Sequence, residues 1–232
     1  ELYYARDGEV RWETPVMTGK ETTRTPIFQA PLKYLEFNPT WNVPRSILGR
    51  SLLPQFRKDP EYAVRKGYRF LNAAGNPVDP ASIDFNRYTA GSFPYRVVQM
   101  PGPENAMGQV KFMYPNRHAV YLHDTPSRQL FSRQQRAFSA GCIRVKDPLE
   151  LARVLLDDPQ RYSAVQIRAL VDSGNPRQVV HMPRNVDVLL MYWTVSPVAG
   201  GGIQFHEDIY GLDPATLSGL NAPPRVFPYK TS

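Results

Sequence analysis

The chain carries one cysteine, in Ser139-Ala140-Gly141-Cys142-Ile143-Arg144, and a histidine upstream of it in Tyr121-Leu122-His123-Asp124. A single thiol cannot close an intramolecular disulfide. Buried free cysteines usually act as small apolar fillers, but the neighbours of this one are polar or suited to a tight turn. Gly141 lets the backbone turn and present amide N–H groups, and Ser139 and Arg144 add polarity. A cysteine approached by a distant histidine only in the folded chain is the minimum for thiol nucleophilic catalysis. A free thiol titrates near ~8.5, so an imidazole must take its proton or stabilise the thiolate. The pattern points to a cysteine-nucleophile enzyme acting on an amide bond.

The neighbouring residues suggest the remaining roles. Cys142 is the expected nucleophile and His123 the expected general base and acid; standing alone, His123 would read as a hydrogen-bonded core histidine. Backbone N–H groups at Gly141 and Cys142 are expected to form an oxyanion hole, where fixed donors stabilise a tetrahedral intermediate. Arg144 is expected to hold a substrate carboxylate, the plainer reading being an ion-paired surface arginine. Ser139 is either a donor standing behind the groups that meet substrate or a turn residue. Asp124 orients His123 through its side chain or its backbone carbonyl. If Ala119 to His123 is extended, Tyr121 and His123 share one face and His118 takes the other. Tyr121 then reads equally well as a donor to a substrate carbonyl or as a packed strand aromatic. His118 and His123 cannot bind one metal from that strand, and His181 and His206 lie in separate contexts. Neither a metal nor another cofactor is expected.

These side chains need a β-rich frame. Leu2 to Val16 reads as two strands joined at Asp7-Gly8, a hairpin signal, and Leu32 to Phe37 alternates as a third. From Trp41 to about Phe93 the character changes, with short helices predicted over Pro44–Leu53 and Pro60–Lys66, the latter capped by Asp59. Loops follow at Gly75-Asn76-Pro77 and Asp79-Pro80, and the whole stretch reads as an insertion of the lid or binding-loop kind. Strands return at Arg96–Met100, Gln109–Met113 and Ala119–His123. Asp147 with Glu150, and Ser163 with Gln166, predict capping boxes for two helices. Val186–Val195 predicts a core strand, Gly200-Gly201-Gly202 a hairpin turn into Ile203–Phe205, and Asp213-Pro214 a terminal helical turn.

The bulk composition fits this frame. The chain has 232 residues, 42% of them hydrophobic, and a mean hydropathy of -0.42, enough for one good core plus a subdomain. Twenty-three prolines, about twice the usual share, are spread along the chain and punctuate short strands. The sequence has no apolar run of about 18 residues, so no spanning segment is predicted. The start at Glu1-Leu2-Tyr3-Tyr4 reads like mid-strand sequence, which leads us to expect that an N-terminal part of a longer protein is missing. A net charge of +7 and a pI near 9.5 favour polyanionic partners such as an acidic wall polymer. The basic residues are scattered without a nucleic-acid motif, so nucleic acid is not expected as a partner.

The order from His123 to Ser139-Ala140-Gly141-Cys142-Ile143-Arg144 resembles the L,D-transpeptidase (YkuD) catalytic domain, whose signature is a histidine followed by a serine-histidine-glycine-cysteine block. The likeness extends over most of the chain. It takes in Gly19-Lys20, Thr25-Pro26, Asn38-Pro39-Thr40-Trp41-Asn42-Val43-Pro44, Asn105-Ala106-Met107-Gly108 and Lys111-Phe112. Tyr192-Trp193-Thr194 and Asp208-Ile209-Tyr210 resemble the C-terminal part of the large periplasmic Gram-negative branch. Ala140 stands where the family has its second histidine, which leaves the base role to His123 alone.

The resemblance implies a mainly β (α+β) fold, a YkuD-type β-sandwich core with peripheral helices, spanning 1–232 with a capping subdomain inserted at 41–93. It implies that Cys142 attacks the amide between meso-diaminopimelate and D-alanine in a tetrapeptide stem. The resulting thioester passes to an acceptor amine to give a 3→3 cross-link. The Asp124 carbonyl would orient His123, and Trp41 and Met113 join Tyr121, Ser139 and Arg144 as expected substrate-binding residues. The partners implied are peptidoglycan stem peptides and carbapenem-type β-lactams. The implied location is periplasmic, with inner-membrane attachment through a missing N-terminal segment left open. A carboxypeptidase or endopeptidase sharing the acyl-enzyme remains an alternative, as does a catalytically silent wall-binding module. A papain-like protease would carry its cysteine early and its histidine late, the reverse of the order here.

Overall fold

The computed structural model describes residues 1–198 and 200–223. Two compact units divide the chain, Glu1–Leu189 and the segment from Leu190 onward. The first unit opens with a hairpin of β1 (Leu2–Arg6) and β2 (Glu9–Thr14). Its turn places Asp7 at φ 54° and Gly8 at φ 79°, the left-handed pair that an Asp-Gly turn supplies at least strain. β3 (Val16–Gly19) and β4 (Phe28–Phe37) begin the main sheet. β4 starts four residues before the alternation at Leu32 predicts.

The inserted segment builds its own lobe. It contains β5 (Trp41–Asn42), α1 (Arg45–Ile47), a widened turn at Leu48–Leu52, α2 (Leu53–Lys58) and α3 (Glu61–Arg65). β6 (Tyr68–Leu71), β7 (Pro77–Val78) and β8 (Arg96–Gln99) follow. The helical run 45–58 continues past Leu53, the predicted end, and through Pro54. The widened turn accommodates the proline, which lacks an N–H and would crowd the carbonyl one turn back. Asp59 still holds the start of α3, its Oδ1 accepting the Tyr62 N–H at 3.2 Å. The strands pair in the order β5-β8-β6-β7, so Arg96–Gln99 belongs to the insertion and the lobe reaches Gln99. Leu48, Leu53, Phe56, Phe70, Phe85, Phe93 and Val97 pack into its core. At its neck the buried Asn105 amide donates to the Pro39 carbonyl at 3.0 Å and the Met100 carbonyl at 2.9 Å.

The main sheet is completed by β9 (Val110–Met113), β10 (Leu122–His123), β11 (Ala137–Ser139), β12 (Ile143–Val145) and, after two helices, β13. The helices are α4 (Pro148–Leu156) and α5 (Ala164–Asp172), and β13 spans Gln178–Leu190. The strand order is β11-β3-β12-β10-β9-β4-β13. The β-rich α+β class expected from the sequence is the class observed. The predicted capping box of α5 is present, with Ser163 and Gln166 satisfying each other's backbone N–H groups. That of α4 is absent: Asp147 makes no cap bond and instead accepts the Thr14 hydroxyl at 2.9 Å, while Glu150 pairs with Arg153. Val186–Val195 is not a core strand. The strand begins at Gln178, ends before Tyr192, and lies at the sheet edge with half-buried and exposed residues alternating.

Cross-strand register sorts the sheet into two faces. Leu35, Phe112, Leu122 and Ile143 lie opposite one another across β4, β9, β10 and β12, and all are buried. Residues one step along point to the other face, and there the row reads Glu36, Lys111, His123, Arg144, Met17. One face is apolar; the other carries the chemistry.

In the second unit β14 (Val195–Pro197) pairs with β15 (Ile203–Phe205), as the glycine-rich turn predicts. Tyr192 donates its hydroxyl to Asp208 at 2.7 Å and stacks on Tyr210 with ring centroids 4.9 Å apart. α6 (Asp213–Asn221) follows, longer than the single turn predicted. No helix of the described residues is long and apolar enough to cross a membrane.

Candidate active site

Strand β10 is shorter than the sequence suggests, because Ala119 sits at φ 52° and breaks the extension. Leu122 and His123 still pair in parallel with Ile143 and Arg144. The Ile143 N–H donates to the Tyr121 carbonyl at 2.9 Å, tying the start of β12 to the residue before β10. Cys142 and Arg144 are two residues apart, and the burial of Ile143 and Val145 between and beyond them matches an extended backbone. Cys142 therefore shares a face with Arg144 and His123, one strand spacing (about 4.8 Å) from the histidine's strand.

His123 is 2% exposed. Its Nδ1 is hydrogen-bonded to the Asp124 backbone carbonyl. A carbonyl oxygen only accepts, so Nδ1 carries the proton and Nε2 is left as the basic nitrogen. Of the two orienting groups the sequence leaves open, the carbonyl makes the contact. The Asp124 side chain is used elsewhere, accepting the Gln109 N–H at 2.9 Å and Arg128 at 2.7 Å. Burial, with the charges of Arg144 and Lys111 adding to it, lowers the His123 pKa to about 3. The imidazole rests neutral.

Burial also raises the Cys142 thiol, opposed by the Tyr121 backbone N–H, Lys111 and Arg144. The sulfur lies 3.9 Å from the Ala119 carbonyl. The free protein therefore holds a neutral thiol beside a neutral imidazole, with two cations placed to favour the thiolate once the proton moves.

The loop before the sulfur is fixed by side-chain hydrogen bonds. Ser139 is 3% exposed, so its role is internal: its hydroxyl donates to the Cys142 carbonyl at 2.5 Å and accepts the Gly141 N–H at 3.0 Å. Ser139 is turned inward, and the Gly141 N–H expected in the oxyanion hole is already engaged by its hydroxyl. The Cys142 N–H has no hydrogen-bond partner among the described residues and remains the available donor. Gly141 is needed for its φ of 116°, a value costly for residues with a Cβ. Thr23 and Thr25 hold the same loop, donating to the Ser139 and Gly141 carbonyls at 2.9 Å each. Neither threonine role has a sequence signal, because the contacts cross 116 residues. Ser139→Ala should orphan the Gly141 N–H and cost about 1–3 kcal/mol of stability. Chemical denaturation should read that loss, with a slower Cys142 reaction accompanying it.

The other expected residues divide. Met113 lies on the chemical face, two residues along from Lys111 and opposite Tyr34. Tyr121 is half-buried, with its ring under the Lys111 ammonium. Trp41 lies in the inserted lobe, packed against that lobe's core, with its ring 6.5 Å from Tyr68, and is not part of the cross-strand row. Ala140 is exposed. His118 packs on Phe28, ring centroids 5.0 Å apart. Lys111 had no place among the expected site residues; its one sequence signal is a charge at an alternating position of an otherwise apolar strand.

The chain is similar to known proteins. The family model described as L,D-transpeptidase catalytic domain (YkuD) matches residues 1–179. A Haemophilus influenzae protein named "Putative L,D-transpeptidase" is 37% identical over 212 residues, covering 91% of this chain and 42% of that protein. The chain thus spans less than half the length of this curated relative.

Proposed function

This chain belongs to the YkuD family of L,D-transpeptidase catalytic domains, and from that premise we propose that it is a cysteine-dependent peptidoglycan L,D-transpeptidase. The observation that carries the reading is the buried His123, fixed through Nδ1 by the Asp124 carbonyl so that Nε2 is the basic nitrogen, on the strand that pairs with the one following Cys142. In the first half-reaction His123 Nε2 takes the thiol proton as Sγ bonds to the carbonyl carbon of diaminopimelate. The carbonyl oxygen gains the charge and is met by the Cys142 N–H. The C–N bond to D-alanine then breaks, its nitrogen taking the proton from His123, and a thioester remains. In the second half an acceptor amine attacks the thioester and gives its proton to Nε2. The C–S bond breaks, and the thiol is restored from the imidazolium.

In this reading Tyr121 and Met113 line the acyl donor and the lobe carrying Trp41 caps it. A carbapenem-type β-lactam, being an acyl donor, would acylate the same sulfur. The reading carries a periplasmic location with it, because the polymer lies there.

The test is mass spectrometry of products after incubation with purified disaccharide-tetrapeptide, beside a Cys142→Ala control. A cross-linked dimer lacking one D-alanine, present only with the unaltered protein, is the expected result. Tripeptide monomer alone would make the protein a carboxypeptidase. No product with either protein would reject both.

A further inference from the structure

The row across the chemical face places a cation on each side of His123: Arg144 on β12 and Lys111 on β9. Arg144 Nε is buried without a hydrogen-bond partner. The Lys111 ammonium lies 3.9 Å from the centroid of the Tyr121 ring and makes no hydrogen bond or ion pair among the described residues. The carboxylate nearest to it in the row, Glu36, is engaged by Arg177, Nε to Oε1 at 3.2 Å. Two partly buried cations thus flank one neutral base with no anion between them, an arrangement that favours an anionic ligand.

We propose that Lys111 is a specificity-determining residue that, together with Arg144, holds the α-carboxylate of the amine reacting at His123. This rests on the transpeptidase reading above. That chemistry brings two amines to His123 Nε2, the departing D-alanine and the entering D-centre of diaminopimelate, and each bears a carboxylate on the adjacent carbon. Covalent geometry keeps such a carboxylate oxygen within about 3–4 Å of its nitrogen. Neighbouring strands are spaced about 4.8 Å apart, so an amine at Nε2 carries its carboxylate into reach of a cation on either neighbouring strand. The same pair would hold the leaving group during acylation and select the acceptor during transfer. Its effect should appear mainly as KM for the amine.

The experiment compares wild type, Lys111→Met and Lys111→Arg. Alkylation of Cys142 by iodoacetate and by iodoacetamide, in which the thiolate displaces iodide, differs only in the carboxylate. For wild type the iodoacetate/iodoacetamide rate ratio should exceed that of a free thiol. Lys111→Met should lower the ratio about 10-fold, the scale of one charge-assisted contact, and Lys111→Arg should restore it. Loss of folding would instead speed both reagents together. With donor stem, wild type should transfer the acyl group to D-alanine in preference to D-alaninamide, and Lys111→Met should erase that preference through KM. An unchanged alkylation ratio in Lys111→Met overturns the proposal. Transfer to no amine by wild type would overturn the transpeptidase reading, while the alkylation ratio would still decide whether Lys111 builds an anion site.

Discussion

Cys142→Ser should yield a folded protein that forms no acyl-enzyme. The exchange is nearly isosteric, and the loop is held by Ser139, Thr23 and Thr25 rather than by the sulfur, so stability should change by less than about 1 kcal/mol. Activity should fall by at least about 10⁴-fold, as when an activated nucleophile is removed from a working constellation. The reason lies in the match of acid to base. Burial and two neighbouring cations hold His123 at a pKa of about 3, which makes it a weak base. Such a base falls far short for an alcohol, whereas a thiol is the more acidic group and Lys111 and Arg144 oppose the rise that burial gives it. Intact-protein mass spectrometry after exposure to a carbapenem checks this: wild type should gain the mass of one inhibitor and Cys142→Ser none. A stoichiometric adduct on the serine variant would contradict the assignment of the nucleophile.

His123→Gln should cost about 10²–10⁴-fold in acylation rate, the range for losing a positioned general base. The glutamine amide fills much of the imidazole's space but cannot carry a proton. The same substitution should change the acid stability of the fold. In the unfolded chain His123 titrates near the ordinary 6.5, and in the folded protein near about 3. Between those values the unfolded state binds more protons, so His123 makes stability fall as the pH drops from 6.5 toward 3. The contribution is fully present above 6.5. Melting temperatures from pH 7 to 4 should therefore decline less steeply for His123→Gln than for wild type. Parallel curves would show that His123 is not held neutral by burial.

Activity should follow the same logic. His123 introduces no acid limb near pH 6, and kcat/KM should stay level from there through neutral pH, where thiol and imidazole are both neutral.

The sequence alone exposed those parts of the protein whose chemistry is local. Asp7-Gly8 predicts its turn because few residues accept two successive left-handed conformations. Ser163 and Gln166 predict their cap because both partners lie within one helical turn. Cys142, Gly141 and His123 stand out because a lone thiol in a glycine turn has few structural uses, and the ordered matches along the chain lead to the family. By contrast, Asp147 forms no capping box because Thr14, 133 residues away, takes its carboxylate. Arg96–Gln99 looks like a return to the main sheet, since an alternating strand does not encode which sheet it joins.

Only the tertiary structure decided which donors stay free at the cysteine and which charges surround the histidine. Ser139 is drawn inward and takes the Gly141 N–H, leaving the Cys142 N–H. Lys111, His123 and Arg144 come from three strands into one row, set by a register that depends on long-range pairing. Burial then turns an ordinary histidine into one that stays neutral, because removing water penalises its charged form and two cations next to it add to the penalty. Residue types and spacing are written in the chain, whereas desolvation and cross-strand neighbours exist only once it folds.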